Sequence, residues 1–231
     1  DRAFIIAEAG TNHGSDIPVN RKLIAMDYVS NAAEAGADAV KFQWFNSDLA
    51  VDMFCPLPGD DRRWWRWANT IMEPFDWYKV KQYAEGKGLV FLASTFQHST
   101  VKWLDELGVV ATKVASRAAK SFPYADAPAP YLVSTGMFGH DLPIVQQKVT
   151  LLECESKYPS TKCWQGVDYG FSDHSGTPWR AIDAISRGCK LVEVHYHLDE
   201  RDAGPDLPAS LTLDELKLVC EARDAFAELR R

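Results

Sequence analysis

Polar residues able to do chemistry recur at the ends of eight short β-rich runs in the chain. Glu8 follows the first run, Lys41 and Gln43 close the second, and Ser94 and Thr95 follow the third. Lys113 and Ser116 mark the fourth, Ser134 and Thr135 the fifth, and Ser156 and Tyr158 the sixth; Ser172, Asp173 and His174 mark the seventh and His195 the eighth. Ammonium groups and hydroxyl donors match the spread charge of phosphate and carboxylate, so Lys41, Lys113 and the serines, taken as a set, read as an anion site. Singly, each lysine reads equally well as a solvated surface residue and each serine as a cap or turn. His174 and His195 stand at consecutive run ends, where two imidazoles reach one divalent cation and Glu8 supplies an oxygen; that donor set suits Mn²⁺ acting as a Lewis acid on a carbonyl. Paired histidines are also common as hydrogen-bonded core residues. Of the other four, His13 lies in the loop after the first run and is expected nearest the site, while His98, His140 and His197 carry no assignment.

Those residues need a scaffold that gathers run ends. The runs are Phe4 to Ala7, Ala39 to Gln43, Leu89 to Ala93, Thr112 to Ala115, Tyr131 to Val133, Val149 to Cys154, Val167 to Phe171 and Leu191 to His195, with Gly170 interrupting the seventh. Amphipathic patterns predict helices over Arg21 to Ala35, Phe75 to Glu85, Ser99 to Leu107, Pro178 to Arg187 and Leu213 to Leu229, punctuated by Gly36, Gly86, Gly108 and Gly188. Strands alternating with helices make a parallel α/β fold. No G-x-G-x-x-G follows the first strand, and eight strands favour a closed (β/α)8 TIM barrel over an open sheet. Pro123, Pro128 and Pro130 crowd the stretch between the fourth and fifth runs, so the barrel is read as trimmed, with some crossover helices shortened. The segment from Asn46 to Asn69, where Trp64, Trp65 and Trp67 alternate with Arg62, Arg63 and Arg66, reads as a long insertion: a lid, a subunit contact or a partly buried structural loop.

With 231 residues, 46% hydrophobic and 25% charged, the chain suits one large globular domain spanning residues 1–231. Its formal net charge of -7, without a basic block, argues against nucleic acid as a partner. No apolar run has the length of a membrane span. Five cysteines, an odd number without a C-x-x-C pair, read as reduced thiols of a cytoplasmic protein.

The motifs around these residues resemble the sialic acid synthase family. They are F-I-I-A-E-A-G-T-N-H from Phe4, G-A-D-A-V-K-F-Q from Gly36, L-A-S-T-F from Leu92, T-K-V-A-S from Thr112 and L-V-S-T-G-M from Leu132. S-K-Y-P from Ser156, F-S-D-H from Phe171, V-E-V-H from Val192 and G-P-D from Gly204 follow, with Ala209-Ser210 just beyond. Each fragment is weak alone; their number and order, spread along most of the chain, carry the likeness. The resemblance implies a barrel enzyme that condenses phosphoenolpyruvate with an N-acylmannosamine-like hexosamine, yielding a nonulosonic acid and phosphate. It implies His174 and His195 as ligands of a divalent metal, Mn²⁺ or else Mg²⁺ or Co²⁺, and Glu8, Lys113 and Asp206 as catalytic groups. Lys41, Ser116, Ser134, Ser156 and Ser172 would join Lys113 around phosphoenolpyruvate, and Gln43, Tyr158 and Asp60 would join Asp206 at the sugar. A homodimer is the expected assembly.

Departures from the family pattern bear on the acceptor. Arg117 and Ala118 stand where many relatives carry Gly and an acidic residue, Leu207 and Pro208 replace the usual continuation of G-P-D, and Ser156 replaces Asn. The chain is expected to lack the antifreeze-like domain that relatives append. A related phosphoenolpyruvate-using synthase or aldolase acting on another aldose, or a catalytically silent sugar-binding barrel, remain alternatives.

Overall fold

The structure, a computed structural model, describes residues 2–47, 52–55, 59, 61–128, 130–139, 141, 148–199 and 204–230, with the side chain of Asp61 excepted. Asp60 and His140 lie outside the described residues. Eight parallel strands close into a barrel: β1 (Phe4–Gly10), β2 (Ala39–Trp44), β3 (Val90–Thr95), β4 (Thr112–Val114), β5 (Tyr131–Ser134), β6 (Val149–Glu153), β7 (Gly170–Asp173) and β8 (Leu191–Tyr196). They pair in chain order, and β8 returns to β1 through Phe4↔Leu191 to Glu8↔His195. A two-residue strand, β9 (Ser210–Leu211), adds to the C-terminal end of β8 beyond its last pair with β7, Asp173↔Val194.

Period-two alternation sorts the side chains. Ile5, Ala7, Val40, Phe42, Phe91, Val192 and Val194 turn outward into one apolar cluster beneath the helices. Ile6, Ala39, Leu92, Leu132, Leu152 and Leu191 turn inward and fill the barrel axis. Two residues further along each strand, the inward positions become Glu8, Lys41, Ser94, Ser134, Glu193 and their neighbours. The same parity that fills the barrel with leucine therefore lines its mouth with polar groups.

The helices are α1 (Pro18–Ala35), α2 (Asp61–Ala68), α3 (Pro74–Gly86), α4 (His98–Leu107), α5 (Pro178–Ser186) and α6 (Leu213–Leu229). Proline in the first turn starts α1, α3 and α5, where its missing N–H costs nothing. Thr212 and Glu215 close a reciprocal capping box on α6. The expected shortening is present: a single 3₁₀ turn, Ser116–Ala118, is the helical content between β4 and β5, and residues 154–169 between β6 and β7 contain no helix. In place of a crossover helix, Phe122, Tyr124 and Tyr131 pack with Phe96, Val114 and Val133 in a second apolar cluster. No helix among the described residues is long and apolar enough to cross a membrane.

Three local expectations are corrected. The Asn46 to Asn69 insertion contains α2, whose Trp67 is 4% exposed and stacks on Phe45 at 4.5 Å, so the segment is anchored in the second cluster while Trp65 stays 61% exposed. Gly86 is the last residue of α3, and Gly88, at φ 81°, takes the left-handed turn that follows. The seventh strand begins at Gly170 rather than being interrupted there. A Cβ at Gly170 would lie 2.9 Å from the Leu191 carbonyl oxygen, so its absence lets β7 close on β8, and Val167 is left outside at 70% exposure.

Candidate active site

A cavity of about 480 Å³ opens at the C-terminal ends of the strands, where barrel enzymes keep their chemistry. Glu8, Lys41, Gln43, Lys113, Ser116, Ser134, Ser156, Tyr158, Ser172, His174, His195 and Asp206 all line it, so every expected site residue within the described set comes to one place. Thr95, Thr135 and Asp173 do not line it. Each follows an inward residue by one position and so points the other way: Thr135 Oγ1 bonds the Leu152 carbonyl and lies 3.3 Å from Asp168, and Asp173 accepts the Ser175 N–H. His13 also lies elsewhere. Its imidazole is wedged edge-on against Phe42 and Trp77, with Nε2 3.0 Å from the Thr70 carbonyl, and burial pulls its pKa down to about 3. It is a neutral packing residue.

The cavity floor is a chain of alternating charges, all nearly water-free. Lys41 Nζ lies 2.8 Å from Glu8 Oε2 and 3.6 Å from Glu193 Oε2, and Glu193 Oε1 lies 3.5 Å from Lys113 Nζ. Hydroxyls complete it: Lys41 donates to Ser94 at 3.2 Å, Lys113 to Ser134 at 2.8 Å, and Ser172 to Glu193 at 2.9 Å. The two lysines are driven in opposite directions. Burial pulls both down, but Glu193 and Glu8 together outweigh it at Lys41, whose pKa rises. Lys113 has one carboxylate at contact distance and is repelled by Lys41, so its pKa falls. Burial likewise pushes the Glu8 carboxyl up against the pull of Lys41, whereas Lys113 and Lys41 outweigh burial at Glu193 and hold it ionised. Glu8 and Lys113 are thus the two floor groups nearest to exchanging a proton, which suits acid–base work.

Glu193 is the site residue that inspection of the sequence did not single out. The signal was present: it precedes His195 by two on one strand and so shares its face. Its importance appears only with the barrel closed, when it stands between two lysines from β2 and β4.

Two glycines let the side chains converge. At Gly136 a Cβ would lie 2.5 Å from Cys154 Sγ, 2.9 Å from Ser156 Oγ and 3.2 Å from Ser116 Oγ, so bare backbone here leaves room for a cluster of hydroxyls. At Gly10, φ 56°, the corresponding point lies 3.4 to 3.7 Å from Glu8 Oε1, Gln43 Nε2 and Asp206 Oδ2. The G-P-D segment, in a 3₁₀ turn over Gly204–Ala209, thereby reaches the first strand.

The imidazoles of His174 and His195 are 5.2 Å apart between centroids, and Tyr158 stacks on His174 at 4.5 Å. His174 Nδ1 donates to the Glu155 carbonyl at 2.7 Å, which puts the proton on that nitrogen and leaves the Nε2 lone pair for the cavity. Burial, reinforced by His195, lowers the His174 pKa to about 3, so the ring is neutral, as a metal ligand must be. Glu8 departs from expectation as an oxygen donor, because Lys41 holds its carboxylate. Among the described residues no group of three His, Cys, Asp or Glu side chains is placed to hold a metal ion. The donor set is two nitrogens, which fits a divalent ion whose other positions are filled by water and substrate oxygen.

A closed parallel barrel whose mouth holds two lysines, three carboxylates, a ring of hydroxyls and an imidazole pair has the chemistry to bind an anion and move protons beside it. Residues 28–230 match the profile of the NeuB family. The chain is 29% identical over 265 residues to an N,N'-diacetyllegionaminic acid synthase of Legionella pneumophila, covering 96% of this chain and 72% of that protein. It is 31% identical over 247 residues to the N-acetylneuraminate-9-phosphate synthase of Homo sapiens, covering 92% of this chain and 67% of that protein. In structure it is similar to a sialic acid synthetase of Leptospira borgpetersenii, with a TM-score of 0.77 at 24% identity over 99% of this chain and 85% of that one. The chain belongs to the NeuB family. Membership makes it a phosphoenolpyruvate-using synthase that forms a carbon–carbon bond.

Proposed function

We propose that the protein condenses phosphoenolpyruvate with the open-chain aldehyde of an N-acylmannosamine-like hexosamine, giving a nonulosonic acid and inorganic phosphate. The observation that carries this reading is the Glu8–Lys41–Glu193–Lys113 floor lying in one cavity with the His174–His195 pair. Lys41 and Lys113 draw in the phosphate and carboxylate, and Ser116, Ser134, Ser156 and Ser172 donate around them. Gln43, Tyr158 and Asp206 hold the acceptor so that its aldehyde carbon faces C3 of the enol, where the new bond forms. Water adds at C2, and Glu8, whose pKa burial raises above the ordinary carboxylate value, takes a proton from it. The C2–O bond to phosphorus-bearing oxygen then breaks and phosphate leaves. His174 and His195 would hold the divalent ion, with Mn²⁺ suiting nitrogen donors and Mg²⁺ or Co²⁺ as alternatives. When bound, the ion polarises the acceptor carbonyl.

The test is phosphate release from phosphoenolpyruvate in the presence of Mn²⁺ and a panel of aldoses, with mass spectrometry of the product. Release that depends on both metal and aldose, with a product three carbons longer, is expected. His195→Ala should lower it by at least 100-fold, in line with removal of a ligand. An unchanged rate in that variant reassigns the histidine to packing, and silence across the panel removes the condensation reading.

A further inference from the structure

The imidazoles of the site are not held alike. His195 lies within β8, paired with Glu8 of β1 on one side and with Ser210 of β9 on the other, so strand ladders fix its backbone from both flanks. His174 stands one residue beyond β7, whose last pair with β8 is Asp173↔Val194. Its orientation comes instead from the helix-free connection between β6 and β7.

That connection grips ring and backbone together. His174 Nδ1 donates to the Glu155 carbonyl at 2.7 Å, and the Ser160 N–H donates to the His174 carbonyl, also at 2.7 Å. The gripping residues are bonded to each other: Ser160 Oγ donates to Glu155 Oε2 at 2.6 Å. The Thr161 N–H reaches the same carboxylate oxygen at 3.3 Å, and the Lys162 N–H donates to Ser160 Oγ at 3.0 Å. Ser160 is buried, whereas Ser156 to Pro159, the stretch enclosed by the side-chain bond, is exposed. Ser156 and Tyr158 of that stretch line the cavity, and the Tyr158 ring lies on His174. The return half of the connection is tied down separately, Glu153 accepting the N–H groups of Gln165, Val167 and Asp168 at 2.8 to 3.1 Å.

We propose that Glu155 and Ser160 are positioning residues for His174: their side-chain bond closes a ring of contacts that aims Nε2 into the cavity and so raises the affinity of the His174–His195 pair for a divalent ion. The inference rests on that pair holding a metal. A hydroxyl donating to a carboxylate is a charge-assisted bond, among the stronger that side chains make. The second hydrogen bond of a ligand imidazole fixes the ring, and losing such an outer partner costs about 10- to 100-fold in metal affinity. Here the outer partner is a main-chain carbonyl, so the side-chain bond that holds it in place is what substitution can reach.

The experiment titrates the chain with Mn²⁺, reading the free ion by electron paramagnetic resonance, for the wild type, Ser160→Ala, Glu155→Ala, the double variant and Ser160→Thr. Each single alanine variant should bind Mn²⁺ roughly 10-fold or more weakly, and the double variant should fall no more than about 3-fold below the weaker single, because the same bond is lost in all of them. Ser160→Thr keeps the hydroxyl and should stay within about 3-fold of the wild type. Should Ser160→Ala fail to fold, Glu155→Ala, at a half-buried position, decides the matter by itself. Unchanged affinity in Glu155→Ala, losses that multiply in the double variant, or a threonine variant as weak as alanine overturns the inference and leaves the metal pair standing. A wild type that takes up no Mn²⁺, or uptake indifferent to His174→Ala, strikes the metal reading, and this inference falls with it.

Discussion

Glu193 stands between the two lysines of the cavity floor. Its two oxygens face Lys41 and Lys113 while Ser172 donates to one of them, so a single carboxylate bridges both lysines and, together with Glu8, supports the charge of Lys41. Glu193→Gln keeps the shape and removes the charge. Because Glu193 supports the Lys113 ammonium, the variant should lower the Lys113 pKa further, moving the alkaline limb of the kcat/KM profile to lower pH. A fall in kcat of roughly 100-fold should accompany it. The pH profile is the deciding measurement, since a residue that only fills space would leave it in place.

At the level of elements, the end of β7 shows how one residue of strand parity separates chemistry from structure. Ser172 and His174 face the cavity, and Asp173 between them turns outward, accepting the Ser175 N–H at 2.9 Å ahead of α5. Burial raises the Asp173 pKa from 3.8 to about 6. A carboxyl whose folded-state pKa is raised stabilises the fold fully below its unfolded value, and that contribution is lost as pH climbs through the folded value. Between about pH 4 and pH 7 the protein should therefore lose about 2 to 3 kcal/mol from this group. Asp173→Asn should flatten that part of the stability curve, as read by urea unfolding at a series of pH values. An identical slope in the variant would show that the carboxyl ionises freely in the fold.

Over the whole molecule, the barrel has a face for chemistry and a face for stability. Opposite the cavity, Arg223 of α6 is 1% exposed in its side chain, donates to Asp38 Oδ2 at 2.6 Å and to the Gly36 carbonyl at 2.9 Å, and so ties the last helix to the turn between α1 and β2. Asp38 also accepts the Ile5 N–H at the start of β1. The clasp joins the two ends of the chain where the barrel closes. Arg223→Met removes one of the two guanidinium partners of Asp38, which keeps Arg2, and should cost about 2 kcal/mol, seen as a fall in Tm of several degrees. Turnover at 25 °C should be unchanged, because nothing in the clasp reaches the cavity. Loss of kcat with Tm intact would place coupling across the barrel that this division of faces excludes.

Strand identity, barrel class and the residues at the strand ends were legible in the linear chain. Period-two alternation, helix-length patterns and proline stops are local properties, set by backbone geometry within a few residues. Even Pro123, Pro128 and Pro130 announced the missing crossover helix, since a residue without an N–H cannot continue one. What tertiary structure decided was partnership. His13 lay close to the site along the chain and went instead to Phe42 and Trp77, whereas Glu193, unremarked beside His195, became the link between lysines from two other strands. The arginines of α2 passed for an insertion until Trp67 docked on Phe45 and turned them to the rim. Charge pairing and desolvation act through space, between residues that only closure of the barrel brings within a few ångströms, and no spacing along the chain encodes them.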